Sequence, residues 1–271
     1  MARVLGRHGG YVTQQAVLSF QKGMMILFVA GCVCSFLCGV ASCLPFAMRH
    51  SSPYVFLSVA PLLLLAIIWM GRVADRKDAI FEKERINMRK GAVGEAVVAL
   101  ILDNFPNDYW IVHDLKTPLG NLDHVVVGPT GVYVIDTKNW RGIVSADGNG
   151  ELLRNGEPTD KPAVRPVVDR TMWVRDKILK DSATDQIRLP EARYFQAVLV
   201  FPMARVEADW GTTGAAHCVR DEKLRDYIVE SRKGRLLTTQ QIESYAKAFR
   251  ALAQMDGDFE VLPSAPPPAD S

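Results

Sequence analysis

A chain of 271 residues has room for one ordinary domain with an anchor, or for two small domains. With 48% hydrophobic and 23% charged residues it can bury a core, which excludes disorder over most of its length. A formal net charge of +2 excludes a strongly basic nucleic-acid binder, so any such contact must come from a local patch or a metal ion.

The first predicted elements are apolar. No residue from Gly23 to Met48 is charged, a stretch of about 26 residues, enough to cross a ~30 Å hydrocarbon core with some tilt. A second uncharged stretch of about 19 residues runs from Pro53 to Gly71, with Pro61 inside it and Trp69 suited to an interface. Only Arg49-His50-Ser51-Ser52 separates them, so the reading is a two-helix transmembrane hairpin in a lipid bilayer. A signal peptide is excluded by the length of the first stretch and by the second that follows it. Arg3, Arg7 and Lys22 precede the hairpin and Arg72, Arg76 and Lys77 follow it, which predicts that both termini are cytoplasmic and that the membrane is the cell inner membrane. Cys32, Cys34, Cys38 and Cys43 lie among apolar neighbours and read as small hydrophobes; no disulfide framework is expected.

The expected organisation is a cytoplasmic segment 1–22, the hairpin 23–71, a polar linker helix 72–90, an α/β domain 91–262 and a disordered Pro/Ala-rich tail 263–271. Residues 91–104 are apolar on nearly every side and predict a buried helix. Strands follow at Tyr109–His113, Leu122–Val127 and Val132–Thr137, with Gly128-Pro129-Thr130-Gly131 as the turn between the last two. Short strands at Ile143–Ala146 and Leu152–Arg154, a helix over Val167–Leu179 and a buried strand at Gln196–Phe201 come next. Helices over Glu222–Glu230 and Thr239–Ala253 close the domain, the second capped by Thr238 or Thr239.

The chemistry gathers on the central hairpin. With two or four loop residues Val127 faces Val132, and counting back sets Asp123 opposite Asp136, with Lys138 on the same face. Opposed carboxylates repel unless one is protonated, both are solvated, or a cation lies between them. A hard divalent ion suits such a pair, and the Lys138 ammonium could orient water or stabilise developing charge. A solvated Asp136–Lys138 ion pair is the plain alternative. Glu95, the only charge between Gly91 and Leu102, needs a partner, and the hairpin's lysine or metal can supply it. His124 alternates away from Asp123, so it and His113 read as structural.

These residues carry a resemblance. Gly91-x-x-Gly94-Glu95, then Leu122-Asp123-His124-Val125-Val126-Val127-Gly128-Pro129-x-Gly131-Val132, then Val134-Ile135-Asp136-Thr137-Lys138-Asn139-Trp140-x-Gly142, resemble the nuclease-related domain, NERD, over about residues 88–205. That family is assigned to the PD-(D/E)XK restriction-endonuclease-like superfamily. The resemblance implies a mixed sheet flanked by helices. It implies Glu95, Asp123, Asp136 and Lys138 as catalytic residues, with Glu95, Asp123 and Asp136 as ligands to Mg²⁺ or Mn²⁺. Asp136 stands where the family often has Glu. Where the family often shows Asn-Pro-x-x-Gln, this chain has Arg165-Pro166-Val167-Val168-Asp169, so the Gln is lost or Asp169 replaces it. Trp140 reads mainly as packing, with substrate contact as the alternative.

Two functions stay open at this stage. One is a membrane-anchored, Mg-dependent nuclease acting on nucleic acid, with DNA placed ahead of RNA. The other is a non-catalytic module on the same fold that binds nucleic acid or protein at the membrane.

Overall fold

The computed structural model describes residues 2–5, 90–184, 195–208, 215–231 and 236–254, together with Gly234 and isolated positions between 21 and 89. The chain divides into two compact units, one of residues 1–11 with 90–271 and one of residues 12–89. In the second unit the described positions include helical Met24, Met25, Phe28 and Val29. The expected membrane hairpin and linker helix otherwise lie outside the described residues, as does the expected tail. Among the described residues no helix is long and apolar enough to cross a membrane.

The first unit is built on strands β1 (Arg3–Leu5), β2 (Trp110–Thr117), β3 (Gly120–Gly128), β4 (Gly131–Thr137), β5 (Gly142–Ala146), β6 (Leu152–Arg154), β7 (Glu157–Pro158), β8 (Phe195–Phe201), β9 (Ala204–Val206) and β10 (Ala216–Arg220). Its helices are α1 (residues 90–103), α2 (Val164–Thr184), α3 (Asp221–Val229) and α4 (Thr239–Gln254). The main sheet runs β1-β2-β3-β4-β8-β10. The β2–β3–β4 meander is antiparallel, and β1, β8 and β10 join in parallel to their neighbours. A smaller sheet runs β7-β6-β5-β9. This is the mixed sheet flanked by helices that the sequence implies.

Period-two alternation sorts the core onto two faces. Val125, Val127, Val132 and Val134 pack with Val174 and Ile178 of α2 and with Ile242, Tyr245 and Phe249 of α4. Val126, Tyr133, Ile135, Val198 and Val200 pack instead with Val98 and Leu102 of α1 and with Leu224 and Ile228 of α3. The central turn has the two-residue loop Pro129-Thr130, with Gly128 paired to Gly131. Gly131 has φ +135°, a conformation open to glycine. Thr238 caps α4 in a capping box: Gln241 N–H donates to Thr238 Oγ1 at 3.3 Å and Thr238 N–H donates to Gln241 Oε1 at 2.8 Å.

Two features depart from the sequence reading. The composition of residues 91–104 predicts burial on all sides, but α1 buries only the side that carries Gly94, Val98, Ala99 and Leu102. Val93 and Leu100 are 63% and 66% exposed, because the helix lies on one face of a sheet and apolar composition does not decide which flanks are covered. The second departure is β1. Arg3–Leu5, expected ahead of the hairpin as a separate segment, pair with Trp110–Val112. Leu5 is 1% exposed within the α2/α4 core, and Arg3 reaches Glu243 of α4 at 2.6 Å.

Candidate active site

The site lies at the end of the β3–β4 hairpin away from its turn. Val127 pairs with Val132, and the ladder runs back to His124 opposite Ile135. The expected register is therefore the observed one, and its next step faces Asp123 to Asp136. The ladder closes there with a side chain: Thr137 N–H donates to Asp123 Oδ2 at 2.6 Å. Across β4, Asp136 pairs in register with Leu199 of β8.

Asp136 is 3% exposed, and both its oxygens meet cations. Lys138 Nζ stands 2.5 Å from Oδ2. Arg170 Nη2 stands 2.6 Å from Oδ1. Arg170 comes from α2 and has its other donors on backbone: Nε donates to the Pro166 carbonyl at 3.0 Å, and Nη1 donates to the Asn121 carbonyl. The start of α2 is held in turn by Glu151, whose carboxylate accepts from the N–H groups of Ala163, Val164 and Arg165 at 2.7 to 2.9 Å. A carboxylate at a helix N-terminus satisfies amides that have no partner within the helix.

Glu95 enters from the first turns of α1. Gly94 makes that approach possible, since a Cβ there would stand 2.9 Å from Asn139 Cβ. The Asn139 amide also donates to the Lys90 carbonyl, which ties the start of α1 to the end of β4. Burial pushes the Glu95 carboxyl up to about 7, helped by the negative charges of Asp114 and Asp136 and opposed by Lys138. Part of Asp123 still meets solvent, but its carboxyl group is surrounded by protein. Burial holds that carboxyl well above the usual range, Asp136 and Glu95 raise it further, and the Thr137 N–H and Lys138 pull the other way. Glu95, Asp123, Asp136 and Lys138 thus converge and feel one another's charge.

Sequence reasoning missed two members of this cluster. Asp114 of β2 adds negative charge beside Glu95 and accepts from the Asn121 amide at 3.0 Å; its φ of +53° is rare for a residue other than glycine. A carboxylate inside the apolar run Ile111-Val112-His113-Asp114-Leu115 was the available signal. Arg170 was also missed. Asp169, the possible stand-in for the lost Gln, has its side chain 59% exposed and pairs with Arg165 at 3.9 Å. One residue further along the helix, about 100° around it, Arg170 turns inward.

The residues outside the site behave as expected. His113 and His124 are each 1% exposed, with their Nδ1 atoms 2.7 Å apart and His113 Nε2 3.2 Å from Asp103. Trp140 packs on Phe201, with ring centroids 5.5 Å apart. It also lines a pocket of about 370 Å³ with Arg154, Pro158, Thr159, Asp160 and Lys161.

The carboxylates suit a divalent cation by chemistry, because each raises its neighbours' affinity for positive charge. Their present arrangement is not a finished ligand set: among the described residues no three His, Cys, Asp or Glu side chains stand close enough together to hold a metal ion. Asp136 is turned toward Lys138 and Arg170.

Fold and site together define an α/β domain of mixed sheet with an acidic cluster and a lysine at one hairpin end. Residues 90–202 match the family model of the nuclease-related domain, the family that the sequence motifs resemble. A segment of 66 residues is 35% identical to an uncharacterized protein of Bacillus anthracis, a match over 22% of this chain and 31% of that protein. The chain thus spans under a third of that relative's length. No solved structure matches the chain.

Proposed function

We propose that this protein hydrolyses phosphodiester bonds of nucleic acid with a divalent metal, through a PD-(D/E)XK-type site held at a membrane. The observation that carries the reading is the convergence of Glu95, Asp123, Asp136 and Lys138 at one hairpin end within the residues that match the nuclease-related domain. Asp123 and Asp136, with Glu95, would hold Mg²⁺ or Mn²⁺. Such an ion supplies positive charge at the scissile phosphate and makes water a better nucleophile. Lys138 would orient a water or stabilise charge as it develops on the phosphate oxygens. The Trp140 pocket begins two residues beyond Lys138 and joins an indole to Arg154 and Lys161. An aromatic plane with flanking cations suits a base and its phosphate, and DNA is the first substrate to test.

Membrane attachment rests on the uncharged stretches Gly23–Met48 and Pro53–Gly71. The exposed helical Met25 and Phe28 support it, at 70% and 73%. So does β1. Strands before and after residues 12–89 share one sheet, so a segment between them that enters a bilayer must cross it an even number of times. With the basic flanks, that parity supports a two-span anchor with the domain on the cytoplasmic side of the inner membrane.

One observation favours the second reading, a non-catalytic module on the same fold: both Asp136 oxygens already meet cations. The deciding assay incubates the full chain in detergent with single- and double-stranded DNA and RNA, with and without Mg²⁺ or Mn²⁺. Metal-dependent cleavage that disappears in Asp123→Asn supports the enzyme. Binding without cleavage under every condition supports the module.

A further inference from the structure

We propose that Arg170 is a built-in competitor of the divalent cation: it holds Asp136 in the metal-free protein and must release that carboxylate when a metal binds. This inference rests on the metal-dependent reading above and adds a residue that sets how readily the site loads. Asp136 is nearly inaccessible, and its Oδ1 accepts from Arg170 Nη2 at 2.6 Å. Hydrogen bonds between ionised partners at such distances are among the stronger ones in proteins. A divalent ion on that oxygen would bring two cations onto one atom, and their repulsion in a partly desolvated site is large. One must leave.

The anchoring of Arg170 shows how the pair can separate. Its Nε and Nη1 donate to the carbonyls of Pro166 and Asn121, which hold the rigid guanidinium in place, so the separation comes from Asp136 turning its carboxylate away and breaks one of the three interactions. Glu151 fixes the start of α2, so the helix need not move. Lys138 is the weaker candidate for this exchange. It lies on the same strand as Asp136, two residues away, and its charge remains useful beside a bound metal. The charge balance explains why an arginine stands there at all. Glu95 and Asp123 feel the charge of Asp136, and the described cations paired with Asp136 are Lys138 and Arg170. Arg170 supplies positive charge in the metal's absence and competes with it in its presence.

The test measures Mn²⁺ binding to the full chain in detergent by titration calorimetry, with far-UV circular dichroism to verify folding. Arg170→Gln should bind Mn²⁺ about tenfold tighter than the wild type, equivalent to about 1.4 kcal/mol. Arg170→Lys keeps the charge but loses the fork that spans Asn121 and Asp136, and should bind with intermediate affinity. If Arg170→Gln does not fold, Arg170→Lys decides: tighter binding than wild type supports the proposal, and equal or weaker binding overturns it. Asp123→Asn separates the competitor role from the metal site itself. Wild-type binding that depends on Asp123, with no gain in Arg170→Gln, overturns the competitor role alone. Weaker binding in Arg170→Gln also overturns it and makes Arg170 an organiser of the carboxylates. No Asp123-dependent binding in the wild type or in Arg170→Gln removes the metal-dependent reading and this proposal with it.

Discussion

Asp123 and Asp136 are opposed on one hairpin, yet their surroundings make them unlike. Asp123 is a desolvated carboxyl among negative neighbours, whereas Asp136 is paired with two cations. Substitution by Asn should separate them. Asp123→Asn replaces a carboxyl whose charged form is disfavoured by burial and by Asp136 and Glu95, so thermal stability without metal should hold or rise. Asp136→Asn leaves the mostly buried Arg170 guanidinium uncompensated and should cost about 3 kcal/mol. Chemical denaturation of both variants checks this, and equal effects would refute the asymmetry. A second expectation follows from Glu95, whose carboxyl rises from 4.5 to about 7 on folding. Between these values the folded state keeps a proton that the unfolded state has lost, so stability is greatest below the lower value and falls as pH rises through the upper one. A tenfold change in proton affinity corresponds to about 1.4 kcal/mol, reduced here because the side chain is partly open to solvent. Melting temperatures of metal-free protein between pH 5 and 8 should therefore decline with a slope that Glu95→Gln flattens. An unchanged slope in that variant would remove Glu95 from the account.

At the scale of elements, α1 and β1 carry the consequences that local pattern conceals. Gly94 sits in a helix, where Ala is intrinsically better by about 0.8–1.0 kcal/mol. Its Cβ would however press on Asn139, which is tied to the Lys90 carbonyl, and overpacking of this kind costs about 1–3 kcal/mol. The clash should win: Gly94→Ala should lower stability and also displace Glu95, whereas the same exchange at Gly91 meets only the Glu95 carboxylate at 4.0 Å and should be tolerated. Comparing the two melting curves tests the difference. For β1, Leu5→Ala should cost about 3 kcal/mol, as expected for a fully buried leucine. A truncated chain that starts at residue 72 loses β1 entirely, and with it the Arg3–Glu243 pair. It should be less stable than a chain in which residues 1–11 are retained and joined by a flexible linker to residue 90. Equal stability of the two would show that β1 adds nothing to the sheet.

For the whole molecule, the shared sheet constrains the proposed membrane anchor. A reporter fused ahead of Met1 and another fused after Ser271 should report the same side, because β1 and β2 share one sheet. Opposite answers from the two ends would exclude either the even crossing or the pairing of β1.

The central hairpin was legible because its information is local. Two short apolar runs, Val125–Val127 and Val132–Ile135, a glycine-bounded turn between them and counting from it were enough to oppose Asp123 and Asp136. The capping box at Thr238 was legible for the same reason, as its partners lie three residues apart. What the tertiary structure alone decided are meetings between distant segments. Arg170 reaches Asp136 across 34 positions, and Arg3 reaches Glu243 across 240. No periodicity links such residues: their contact depends on which face each helix turns to the sheet and on where a three-residue strand finds an edge. The same holds for the exposed flank of α1, since apolar composition specifies how much surface a helix can bury, and packing against a sheet decides which part of it is buried.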